Sequence, residues 1–144
     1  MTRMTAVLVA VTLALATLPR AFAQNSASEV TIRAIEYQVV MPRRAWSLDL
    51  YDRYYAPDNV DGREIIVGVF LLRSSFGGRA RDGAAPASTI ANAFTTSRSQ
   101  LPTILDGGCS VVTVYFDVAT QRLLPVHLEG VDADPELGVC NGHA

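Results

Sequence analysis

The chain has 144 residues, of which 49% are hydrophobic and 18% charged, and a formal net charge of −2 at neutral pH. Its 12 basic residues are all arginine and stand against 14 acidic ones, which argues against a nucleic-acid partner, since that requires a basic face. Past the amino-terminal apolar run no segment approaches the roughly 20 apolar residues a helical membrane span needs.

Arg3, the apolar run Thr5 to Leu18 and the small-x-small site Ala21-Phe22-Ala23 predict a secretory signal peptide over residues 1–23, with the mature chain beginning at Gln24. No cysteine follows the apolar run to carry a lipid, so a soluble periplasmic or secreted product is expected. Residues 24–144 suit a single domain that buries on the order of two-thirds of its unfolded-chain surface. The mature chain holds two cysteines, Cys109 and Cys140, and export to an oxidising compartment predicts that they form a disulfide. A closed loop of about 32 residues would stabilise the fold by roughly 3.5 to 4 kcal/mol on the chain-entropy argument.

In chain order, Ser26 and Glu29 have the form of a capping box and predict a helix over about Glu29 to Met41, stopped by Pro42 and carrying an apolar stripe through Val30, Ala34, Tyr37 and Met41. The β-branched Val30, Thr31, Ile32 and Ile35 keep a strand open as the alternative. Trp46 to Ala56 alternates and is rich in aromatics, which predicts a strand. Asp61-Gly62 suits a tight hairpin turn. Arg63 to Arg73 is apolar on both faces and predicts an interior strand, in which Gly68 marks a bulge or a close approach. Ser74 to Ser88 reads as an open loop, Ser88 to Thr96 as a short strand or helical turn, and Ser97 to Asp106 as a connector.

Gly107 to Phe116 shows the clearest alternation in the chain. Val112, Val114 and Phe116 fall on one face, and Cys109, Val111, Thr113 and Tyr115 on the other, as a central strand requires. A turn over Asp117 to Gln121 would place Val114 opposite Leu124 and Val112 opposite Val126, with His127 opposite Val111 and Glu129 near Cys109. Pro125 would put this last strand at an edge. Val131 to Ala144 reads as an acidic, turn-rich tail.

No spacing names a reaction. His127, Glu129, Asp132, Asp134, Glu136 and His143 have metal-ligand chemistry, but Leu137 and His143 occupy the positions where a calcium loop needs glycine and a bidentate glutamate, and no zinc spacing is present. No metal and no cofactor is therefore assigned. Cys109 with His127 as base, or a carboxylate pair, is the catalytic alternative. The Gly107-Gly108 pair turns the chain rather than forming an anion nest. Trp46, Tyr51, Tyr54 and Tyr55 are the densest aromatic group and the candidate binding surface, since Tyr and Trp add contact area at small entropic cost.

The segments Arg53-Tyr54-Tyr55, Asp106-Gly107-Gly108-Cys109, Asp117-x-Ala119-Thr120 and Cys140-Asn141-Gly142 resemble a loose group of small exported bacterial proteins with a D-G-G-C … C-N-G pattern. The resemblance implies shared architecture and a Gram-negative periplasm; it carries no activity and no catalytic residue. The expected fold is α+β, an antiparallel sheet of about four or five strands with one packed helix, cystatin-like or NTF2-like in outline. The expected role is noncatalytic binding of an unknown protein or small ligand. Two alternatives are a small enzyme and a hydrolase inhibitor using the 74–88 loop.

Overall fold

The structure is a computed structural model and describes residues 27–76, 83–125 and 139–141. Residues 1–26, which include the expected signal peptide and Ser26, as well as His127 and residues 131–138 and 142–144 of the acidic tail, lie outside the described residues. The fold is α+β, built on a single mixed sheet. Strands β1 (Tyr51–Val60), β2 (Arg63–Leu72) and β5 (Gly108–Asp117) are each 10 residues long and form its centre. The order is β3-β4-β1-β2-β5-β6, where β3 is Ala85–Pro86, β4 Ala93–Thr95 and β6 Arg122–Leu124, and β7 (Val139–Asn141) also pairs with β5.

The sheet differs from expectation in being larger and mixed, because β4 runs parallel to β1 through Arg53–Ala93, Tyr54–Phe94 and Tyr55–Thr95. Such short strands carry too few residues to display a period, and only pairing with their neighbours in the sheet defines them. The first hairpin follows the sequence reading. Val60 pairs with Arg63, and Asp61 (φ 53°) and Gly62 (φ 77°) both take the left-handed conformation of a two-residue turn. Residues 46–50 are not strand, however. Leu48–Leu50 forms a 3₁₀ turn, and β1 starts at Tyr51 and runs on through Pro57 to Val60.

β2 is flanked by β1 and β5 and is buried from Ile65 to Leu72, as a doubly covered strand should be. Its two faces feed two cores. Ile66, Phe70 and Leu72 join Tyr51, Tyr55, Val112, Val114 and Phe116 under the helix, while Ile65, Val67, Val69 and Leu71 join Tyr54, Ala56, Val111 and Leu101 on the opposite face. Gly68 is a close approach: a Cβ there would meet Val114 Cγ2 at 2.6 Å, Phe70 Cε1 at 3.1 Å and Tyr55 Cε1 at 3.2 Å.

Helix α1 spans Glu29–Gln38 and is shorter than the sequence reading at its carboxyl end, where Val39 leaves the helix in an extended conformation. Its N-cap is Ser28, whose hydroxyl accepts the Thr31 N–H at 3.2 Å, so Ser26 is not the cap. Glu29 is consequently free of capping-box duty. It accepts from Ser88 Oγ and Thr89 Oγ1, pairs with Arg33 at 2.8 Å, and so fastens the helix start to the turn before β4. The buried stripe also has a different phase. Ile32 and Ile35 are fully buried, and Val30 and Tyr37, assigned inward by periodicity, are 76% and 92% exposed.

β5 keeps the predicted alternation, with Val112, Val114 and Phe116 in the helix-side core. The second hairpin is shifted by one residue from the expected register, pairing Tyr115 with Leu124, Phe116 with Leu123 and Asp117 with Arg122. The turn is one residue shorter, because Asp117 itself pairs with Arg122 while its carboxylate accepts the N–H groups of Ala119 (2.8 Å) and Thr120 (2.9 Å), and Gln121 closes the turn at φ 56°. The new register serves both faces, since Leu123 enters the helix-side core and Leu124 packs against the other. Within Ser74 to Ser88, Arg73–Phe76 forms one helical turn, α2, and Ala85–Pro86 pairs with β4; residues 77–82 are outside the described residues.

Cys109 and Cys140 form a disulfide that ties β7 to β5. Gly107 enters β5 through a turn, its carbonyl accepting Ser110 N–H at 3.0 Å.

Two outcomes follow from this packing. Gly68→Ala should lower unfolding free energy by about 1 to 3 kcal/mol in urea titrations, because a methyl in a filled core forces its neighbours aside; an unchanged midpoint would show that Val114 yields at no cost. The three bonds to Glu29, from Ser88, Thr89 and Arg33, depress its pKa from 4.5 to about 2. A depressed carboxylate stabilises fully above its unfolded pKa and loses that contribution as pH falls through the folded one. The gap in melting temperature between the wild type and Glu29→Gln should therefore be widest above pH 4.5 and close toward pH 2. A gap independent of pH would refute the ionic origin.

Candidate functional site

The four aromatic residues singled out by the sequence are distributed over both faces of the sheet. Tyr51 and Tyr55 lie in the helix-side core, Tyr54 lies in the opposite core stacked on Phe94 at 5.3 Å, and Trp46 is 47% exposed. Strand alternation separates Tyr54 from its neighbours. Tyr55 meets Phe70 edge-on at 5.8 Å. Tyr51 nevertheless positions Trp46: its hydroxyl accepts the Trp46 backbone N–H at 3.2 Å and donates to the Cys109 carbonyl at 2.6 Å. One buried phenol thus joins the segment before β1 to the disulfide-bearing start of β5. Burial raises the Tyr51 pKa, so the proton needed for the second bond is retained.

Beside this junction is a cavity of about 390 Å³ lined by Trp46, Leu50, Leu72, Arg73 and Ser74. The volume falls near the lower end of the range for small-molecule sites. Of the lining leucines, Leu72 is buried, whereas Leu50 remains 42% exposed. The 3₁₀ turn projects Leu50, and the end of β2 delivers Leu72 and Arg73 to the same place, since Tyr51 pairs with Leu72. Arg73 reaches back across the strand pair, donating Nε–H to the Leu50 carbonyl at 3.3 Å and an Nη2–H to the Asp49 carbonyl. Asp49 itself is held by the Ser47 hydroxyl, the main cause of its lowered pKa, with a smaller contribution from the Arg73 charge. Ser75 on α2 bonds Ser110 on β5 at 3.3 Å, which fixes the short helix that follows Arg73.

A second polar constellation lies under α1. Arg53, 5% exposed, donates to the carbonyls of Leu48 (3.0 Å) and Ala91 (2.5 Å), and its Nε stands 2.8 Å from Glu36 Oε1. The Nε–H is not aligned for a hydrogen bond, so the Glu36 contact is charge pairing at close range rather than a directed bond. Tyr55 Oη donates to the same Glu36 oxygen at 3.0 Å, and burial, followed by the Glu36 charge, pushes the Tyr55 pKa well above its ordinary value. The phenol is a fixed donor at any neutral pH. This network is enclosed by helix and sheet and serves to join them. Its members were hard to find in sequence, since Glu36 becomes inward-facing only once the helix phase is known.

Among the described residues there is no group of three or more His, Cys, Asp or Glu side chains that could hold a metal ion. The metal-capable residues 127–136 and His143 are outside the described residues. Asp117, the most buried of the turn carboxylates, accepts the Thr120 and Ala119 N–H groups on Oδ1, which lowers its pKa, and its Oδ2 stands 3.8 Å from Arg63 Nε. Cys109 is bonded to Cys140 and has no thiol. The chain matches no protein-family model, no curated protein and no solved structure.

Removing one member of the buried pair leaves the other charge without compensation. Glu36→Ala should therefore cost about 3 kcal/mol in urea unfolding, and replacing both residues, as Glu36→Leu with Arg53→Met, should cost less than the single change. Equal losses from the single and double variants would show that the pair contributes only packing.

Proposed function

We propose that this chain is an exported, noncatalytic binding protein of the periplasm, and that it binds through the apolar cavity beside Trp46. The observation that carries the reading is the convergence of a half-exposed tryptophan and an exposed leucine on one cavity of about 390 Å³. Folding buries Tyr51, Tyr54, Tyr55, Phe70 and Phe116, and side chains left around a concavity retain apolar surface that a ligand would desolvate. The disulfide supports export, because such bonds persist in oxidising compartments, and the segment 1–23 supplies the leader. The noncatalytic reading is supported by the bonded state of Cys109, which deprives a thiol mechanism of its nucleophile. The turn and helix carboxylates Glu29, Glu36 and Asp117 are likewise committed to structural partners.

Trp46 is the only tryptophan in the chain, so its emission reports on this cavity alone. Titration with the neutral apolar probe N-phenylnaphthylamine should change Trp46 emission. Trp46→Ala and Leu50→Asp should each weaken binding at least about tenfold by calorimetry, with the far-ultraviolet circular dichroism unchanged. Probe binding at wild-type strength in both variants would sink the proposal.

A further inference from the structure

The cavity has one feature that a purely apolar site does not need. Its wall includes an arginine whose position is set by backbone rather than by a carboxylate. A guanidinium has five N–H donors. Arg73 commits Nε–H and an Nη2–H to the carbonyls of Leu50 and Asp49, and Nη1 has no hydrogen-bond partner among the described residues. Backbone carbonyls orient the group and leave its charge uncancelled. The nearest acid in the chain to those carbonyls, Asp49, is turned to the Ser47 hydroxyl, and among the described residues Arg73 forms no ion pair with it. The field of Arg73 still reaches Asp49, contributing to its lowered pKa. The tight turn that leads into Trp46, closed by Ala45 N–H to the Pro42 carbonyl at 2.8 Å, carries two more exposed arginines, Arg43 and Arg44. Among the described residues, Arg73 is the one charged residue in the lining of this apolar cavity.

We infer that the cavity takes a small amphiphilic anion, an acyl chain of moderate length ending in a carboxylate. The chain lies against Trp46, Leu50 and Leu72, and the head is received by Arg73. This rests on the binding reading above and adds the class of ligand. A planar guanidinium with an unused edge matches a carboxylate in shape and charge, and the low polarity of the neighbouring walls strengthens that pairing. The cavity is at the small end for ligand sites, which favours a free monomeric acid over a bulky headgroup.

The test compares decanoate, decanol and decyltrimethylammonium by calorimetry and Trp46 emission on the full chain purified after export. Decanoate should bind at least about tenfold more tightly than decanol, with the cation weakest, and the preference should shrink in high salt. Arg73→Gln should remove the preference, bringing the ratio of decanoate to decanol affinity within that variant to within about twofold of unity. Arg73→Lys, which keeps the charge, should keep part of the preference if the glutamine variant proves unstable. Equal binding of decanoate and decanol in the wild type, or an undiminished preference in Arg73→Gln, would overturn the anionic ligand and leave the apolar cavity standing. Failure of every probe to bind or to move Trp46 emission would overturn both. Binding to phosphatidylglycerol vesicles with no response to monomeric decanoate would overturn the inference in favour of a lipid surface.

Discussion

Arg53 is the point on which the architecture turns. It sits on β1 with its side chain under α1, and its guanidinium holds the Glu36 carboxylate together with the carbonyls of Leu48 and Ala91. Its backbone N–H donates to the Asn92 carbonyl at 2.8 Å, just where β4 begins to pair. The helix, the 3₁₀ turn and the parallel strand are thus located by one residue of the central hairpin. Burying a charge is costly unless it is paired, so the neighbours of Arg53 cannot drift independently. The interaction need not add net stability to have this effect: it penalises every arrangement in which Glu36 and Arg53 are apart.

The two faces of the sheet are solved by different means. On one face a helix supplies Ile32 and Ile35 over Tyr51, Tyr55, Phe70 and Phe116, a concentrated apolar cover. On the other the cover comes from short and irregular segments, with Leu101, Ile104, Ala84 and Phe76 of α2 over Tyr54, Val67, Val69 and Val111. A helix packs continuously along the strands it covers, whereas turns cover in patches. The cavity beside Trp46 lies at the end of the hairpin, where β1 begins and β2 gives way to α2. Tyr51 links that end to the disulfide through a single hydroxyl, so the covalent staple and the candidate site share one support.

The aromatic cluster shows why a binding surface is harder to read than a strand. Tyr51, Tyr54 and Tyr55 look alike in sequence, but the alternation of β1 sends Tyr54 to one core and the others to its opposite. Trp46 belongs to a different element, and its exposure follows from a turn that carries no periodic signal. Leu72 and Arg73 are 26 and 27 positions after Trp46 in the chain, and only the antiparallel pairing of Tyr51 with Leu72 brings them to its side. Arg73 was visible only as the polar end of an apolar run.

What the sequence by itself determined was everything governed by neighbours along the chain. The alternation of Val112, Val114 and Phe116, the Asp61-Gly62 turn and the doubly buried β2 were legible because a strand's period and a turn's dihedrals are local properties, whereas Gly68, readable as a bulge or a close approach, proved the latter only against Val114 and Tyr55 of the neighbouring strands. The pairing of Cys109 with Cys140 was legible because two cysteines allow one intramolecular bridge. Tertiary structure decided the rest. The inward phase of α1 takes Ile32 and Ile35 into the core and Glu36 to Arg53, against a stripe through Val30 and Tyr37 that looked equally apolar. The hairpin register was set by Asp117 capping two N–H groups, a choice between turns one residue apart that Leu123 and Leu124 both satisfy. The parallel β4 and the cavity of Trp46, Leu72 and Arg73 depend on contacts between distant segments, whose free energy exists only once the sheet has formed.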